Sequence, residues 1–190
     1  MSASTGVAGE DASSAVALVN TRHLQSGQPA DLLADPARAA GWLAERGLLP
    51  RGTALPDPDT ARLVALREAV RELFAAKAGQ RVPAVDDVTL LNAALAAAPV
   101  VPALTWDEAG PHRREHALAG AGPGTVAIAR LARDALRVLT DPAGPEPAPC
   151  GAHGCVRWFL RTHAARQWCS DRCGDRVRAA RHYARHRGTA

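Results

Sequence analysis

Four cysteines, Cys150, Cys155, Cys169 and Cys173, are the only cysteines of the 190-residue chain, and all lie between residues 150 and 190. They fall as two close pairs, Cys150-x4-Cys155 and Cys169-x3-Cys173, with thirteen residues between the pairs. Zinc prefers four soft ligands in a tetrahedron, and two such pairs on separate turns supply them while clipping together a segment too small to bury much surface. Three other readings compete. The thiols could pack as free cysteines or form a catalytic pair. His182 and His186, at i and i+4, could replace one pair in a mixed ligand set. That set would leave Cys150 and Cys155 without a role, and Cys173 and His182 stand closer than the roughly 12 residues of a classical finger. The expectation is therefore one structural zinc per chain held by the four cysteines, with His153 a solvated loop residue.

Compartment supports this choice. Residues 1–15 lack the basic start and apolar run of a signal peptide, and no apolar stretch reaches the roughly 20 residues of a membrane span. A cytoplasmic protein is expected, without membrane contact. In that reducing setting clustered cysteines favour metal over disulfides.

Charge divides the chain at the same point. Residues 150–190 carry nine arginines against Asp171 and Asp175, a balance of 9 − 2 = +7, and residues 1–149 balance at 14 − 17 = −3. Between the halves runs DPAGPEPAP, residues 141–149, whose four prolines lack helix donors and favour an extended spacer.

The acidic half reads as helices. Aromatics are only 4% of the chain, and the abundant alanine and leucine lose little side-chain entropy in a helix. A first helix is expected over about 11–24. A second starts at Asp35-Pro36, aspartate as N-cap and proline at the first helical position, and ends near Gly47. Asp57-Pro58 repeats that signal for the longest helix, whose Leu63, Leu66, Val70, Leu73 and Phe74 share one face until Gly79. A fourth covers about 86–97, with Val88, Leu91 and Leu95 inward. Residues 103–106 and 112–118 read as a small β-hairpin. A last helix, about 125–140, aligns Ile128, Leu131, Ala135 and Leu139. The fold class expected is mainly α: a disordered N-terminus (1–10), a helical domain with one hairpin (11–140), a proline-rich linker (141–149) and a treble-clef-like zinc finger of hairpin and helix (150–190). With the linker separating two cores, residues 1–149 are expected to fold without the tail.

In the basic tail, residues 156–168 suit a hairpin whose aromatics cover the metal, and residues 174–187 contain no breaker and read as a helix. Val177, Ala180 and Ala184 would face the zinc body, with Tyr183 alongside. Arg178, Arg181 and Arg185 share another face, at i, i+3 and i+7, and Arg172 and Arg176 precede them. Guanidinium forks pair with phosphate oxygens or with guanine edges. A basic helix could instead only offset the net −2 of a four-thiolate zinc centre, but the tail remains positive after that subtraction.

The run from Trp168 through Cys169, Ser170, Asp171, Arg172, Cys173, Gly174 and Asp175 to Arg176, with Arg178 and Arg181 beyond it, resembles the CGNR zinc-finger family. Upstream, Leu18-Val19-Asn20-Thr21-Arg22, Trp42-Leu43, the Leu66–Arg71 segment and Leu91-Asn92 resemble its usual partner, the ABATE domain of stress-induced transcription regulators. The resemblance implies zinc ligation by the four cysteines and places Gly174 and Arg176 in the signature. One position departs: Asp175 stands where the signature has asparagine, so a phosphate contact there would be repulsive. An aspartate suits the first turn of a helix and could orient Arg176 or Arg178 instead.

These features point to a transcription regulator without catalytic residues. It would bind DNA through the finger at Arg172, Arg176, Arg178, Arg181 and Arg185, as a homodimer because one finger is a small DNA module. The helical domain would sense a ligand, with Asn20 and Arg22 as candidate pocket residues. An alternative is a zinc module that docks protein or RNA. A third reading, an enzyme using the polar turn Asn20–His23 or the strand residues His112 and His116, lacks an accompanying acid/base pair or phosphate loop.

Overall fold

The computed structural model describes residues 6–25, 27–118 and 120–187. Ser13 caps the first helix, α1 (Ser14–Val19): its hydroxyl accepts from the Val16 N–H and donates to Asp134. α1 is far shorter than the expected 11–24. Asn20 ends it, and Thr21 turns its hydroxyl back onto the Leu18 carbonyl at 2.7 Å, the competition with helix that small polar side chains offer. The chain then forms β1 (Arg22–Gln25) and β2 (Gln28–Asp31), an antiparallel pair that period-based reading missed.

α2 (Pro36–Glu45) starts as expected, with the Asp35 carboxylate accepting from the Arg38 N–H. α3 (Asp57–Ala78) begins one residue earlier than its signal, with Pro56 at the cap position and no side-chain cap; Asp57 and Asp59 instead lend negative charge to its first turn. Its Leu63, Leu66, Val70, Leu73 and Phe74 are all buried. α4 (Val85–Ala97) buries Leu91. β3 (Val100–Asp107) and β4 (Gly110–Ala117) form a longer ribbon than the expected hairpin. α5 (Pro123–Thr140) presents Ile128, Leu131 and Ala135 to a core shared with α1 and α3. The mainly α expectation holds.

The proline-rich segment does not behave as a spacer. Its second half is β5 (Glu146–Pro149), paired antiparallel with β6 (Trp158–Arg161). Trp158 and Leu160 join the main core, the Trp158 ring 5.9 Å from that of Phe74. Pro149 opposes Trp158, and the next residue, Cys150, sends its N–H to the Arg157 carbonyl. The outer edge of β6 meets the helical body. The Trp158 N–H donates to the Asn20 side-chain oxygen at 2.8 Å, and the Asn20 amide donates to the Trp158 carbonyl, also at 2.8 Å. Leu160 donates to the Ala8 carbonyl, and the Ala8 N–H donates to the Cys169 carbonyl.

Residues 6–10 therefore do not fit the expectation of a disordered N-terminus: Val7 is buried, and a Cβ on Gly9 (φ +92) would stand 2.7 Å from Leu160. Residues 1–5 lie outside the described residues. Asn20→Ala would strip two buried backbone groups of Trp158 of their partner. We expect it to cost about 2–4 kcal/mol, read as a lowered urea midpoint with an unchanged slope.

Candidate metal centre and nucleic-acid interface

Each cysteine pair sits on its own turn. Cys150 and Cys155 bracket the tight turn leading from β5 toward β6, closed by the Cys155 N–H donating to the Ala152 carbonyl. Cys169 precedes α6 (Asp171–Arg187) and Cys173 lies in its first turn. The hairpin thus flanks the first pair; its strands do not both lie between the pairs as expected. Phe159 and Trp168 pack with the cysteines, along with Val7, Ala148 and Val177, whereas Trp158 faces the helical core.

The four Sγ atoms all lie within 4.8 Å of one another. Cys155 and Cys169 are 3.9 Å apart, Cys169 and Cys173 3.6 Å, and Cys173 and Cys155 3.8 Å. Four sulfurs about 2.3 Å from one ion stand about 3.8 Å apart, so the donor set fits zinc in both number and spacing. Without a metal, Cys150, Cys155 and Cys169 titrate unequally. Hydrogen bonding from Cys169 pulls Cys155 down to about 5, whereas burial pushes Cys150 up, and donation to Cys155 together with burial pushes Cys169 up. The Cys169 N–H also points at the Cys150 sulfur, at 3.4 Å. When bound, the ion supplies charge and cross-linking, not reactivity, because four protein ligands leave no open position.

Gly174 is packed so closely that a Cβ would fall 2.7 Å from Trp168 Cδ1, which accounts for glycine at this point of the helix. Arg176 reaches back to the His153 carbonyl at 3.1 Å and to the Cys173 sulfur at 4.0 Å, tying α6 to the first turn. Asp175 pairs with Arg178 at 2.6 Å.

A model of the ABATE family, described as "Putative stress-induced transcription regulator", matches residues 12–142. The chain belongs to that family. A model of the CGNR zinc finger matches residues 148–186, so this ABATE chain carries the finger at its C-terminal side, and the cysteine cluster is its zinc site. No curated protein matches the chain. No helix among the described residues is long and apolar enough to cross a membrane.

The arginines of the finger separate by environment. Arg172 and Arg181 are exposed, with no ion pair among the described residues. Arg178 borders the same surface hollow as Arg181 and His182, but Asp175 holds it. Arg176 is committed to the zinc module. The Arg185 side chain lies outside the described residues. The expected inward face of α6 is corrected: Val177 packs on the module, but Ala180, Tyr183 and Ala184 are exposed, so the helix leaves the body after its first turns.

Asn20 and Arg22 do not converge on a pocket. Asn20, 4% exposed, spends its amide on Trp158 and on Glu10, the latter at 2.7 Å, and Arg22 lies outside, 3.9 Å from Glu68. Sequence reading missed two residues that bind the finger to the ABATE helices. One is Asn20 in this bracketing role. The other is Arg71, whose guanidinium donates to the carbonyls of Val19 at 3.1 Å and Val156 at 3.0 Å; burial pulls its pKa below the usual arginine value. Neither contact leaves a local pattern, because the partners are distant in sequence.

Proposed function

We propose that the protein is a cytoplasmic transcription regulator that grips DNA with α6 of a treble-clef-like zinc finger, and that it binds and does not catalyse. The observation that carries this reading is the exposure of every α6 residue from Arg178 to Ala184. A short helical stretch unsupported by packing is marginal in water, and this one is strongly basic, so a polyanion is the partner that stabilises it. Arg172 and Arg181 are the free contacts, Arg178 can be released from an exposed and therefore weak ion pair, and Arg176 positions the helix. The ABATE helices hold the finger rigidly by Asn20 and Arg71, so a change in them would reorient α6.

Duplex binding measured against salt tests this. Each lost phosphate contact reduces the slope of log affinity against log salt by about 0.9. Arg181→Ala should flatten the slope by about that amount while leaving zinc content and melting unchanged, because exposed helical arginines contribute little to stability. If Arg181 reads a guanine, the loss becomes about 1–3 kcal/mol at one base position. An unaltered slope in the Arg172→Ala, Arg181→Ala double variant would reject this face. Absence of salt-dependent binding by the wild type would favour a protein-docking finger.

A further inference from the structure

Residues directly opposed in an antiparallel pair project to the same face. The register of β3 with β4 therefore gathers Pro102, Leu104 and Trp106 with Pro111 and Arg113 on one side of the ribbon. Leu104 is 71% exposed and Trp106 72%. A lone two-stranded ribbon is marginal in water, and large apolar side chains gathered on an exposed face mark an association site.

At its base the same face runs into a groove. Val100 and Glu115, which share that face, line it together with Arg130, Arg133 and Arg137 of α5, around a volume of about 680 Å³. Arg133 lies 3.8 Å from Glu115 and Arg137 2.7 Å from Asp134. Arg130 is exposed, with no ion pair among the described residues. At the far end, the turn between the strands carries Glu108, also exposed and without an ion pair among them. Eight residues of strand set tip and base about 26 Å apart.

We propose that this face is a homodimer interface, in which a second copy lays its ribbon antiparallel across the first, seats its Trp106 in the α5 groove and sets its Glu108 against Arg130. Symmetry supports that occupant. A two-fold axis near Leu104, close to mid-ribbon, places each tip over the other's base, so both apolar stripes and both charge pairs are satisfied by one isologous contact. Stacking the ribbons in parallel would bring the two Glu108 carboxylates together and leave both grooves uncovered. The ribbon alone is small beside the roughly 800 Å2 per partner of a standard interface, and the two grooves extend it.

Sedimentation velocity of the full zinc-loaded chain tests the arrangement. The wild type should be a dimer. Trp106→Ser should be a monomer with unchanged zinc content and helical content, since the indole is exposed within one chain, and its melting should lose the concentration dependence that a dimer confers. Glu108→Arg and Arg130→Glu should each weaken dimerisation roughly tenfold through like-charge contact, and the two together should restore it. A monomeric wild type, a dimer indifferent to Trp106→Ser, or a double variant no better than its parents would overturn the proposal. A monomeric wild type whose Trp106→Ser variant loses duplex affinity would assign the ribbon to nucleic acid instead.

Discussion

Cys169→Ser should lower zinc from one per chain to near zero and abolish the folded tail. Cys169 is 1% exposed, its sulfur lies against those of Cys155 and Cys173, and its carbonyl receives the Ala8 N–H. A serine hydroxyl stays protonated at neutral pH and is a poor zinc ligand, so the substitution leaves three thiolates and a buried hydroxyl. Structural zinc contributes on the order of 10–16 kcal/mol in small fingers, comparable to or larger than the net stability of a whole domain. Metal analysis and tryptophan fluorescence would read both losses. Zinc content indifferent to the substitution would remove the four-cysteine site.

The second large effect is on the helical part. A chain ending at residue 149 should lose its cooperative thermal transition, which reverses the expectation drawn from the proline run. Truncation removes Trp158 and Leu160 from the core around Phe74, and losing one large buried side chain alone costs about 3–5 kcal/mol. It also leaves the Asn20 amide without its Trp158 partner, removes the Val156 carbonyl from Arg71, and deprives β5 of the strand it pairs with. A cooperative transition near the full-length melting temperature would show that the ABATE helices stand alone.

What was legible in the sequence was local. The spacing of the cysteines, the Asp35-Pro36 start of α2 and the apolar face of α3 each repeat within a few residues, and a metal or a helix period imposes such patterns directly. Asn20 shows the limit. It reads as part of a helix or a ligand site, but its partner is a backbone 138 residues away. The prolines conceal a strand for a physical reason. Missing N–H groups exclude a helix but not an edge strand, and Pro147 and Pro149, two residues apart, alternate with Ala148 and Cys150, whose N–H groups can serve the ladder to β6. That alternation is a strand signal, which the density of prolines conceals. The arginines were legible as charge but not as roles: only the fold separates Arg176, tied to the module, from Arg181, left exposed.

The joint between Ala8, Asn20 and β6 also sets an order of events during synthesis. At about 5–20 residues per second, the 138 residues between Asn20 and Trp158 take on the order of ten seconds to emerge. Throughout that interval Asn20 lacks its Trp158 partner, and Ala8 has no strand to join. Ala8 and Asn20 must therefore wait for Trp158, Leu160 and Cys169, and zinc delivered to the finger closes the joint between them. A cell short of zinc would accumulate chains in which neither the finger nor the core around Phe74 and Trp158 has closed, a state open to proteases.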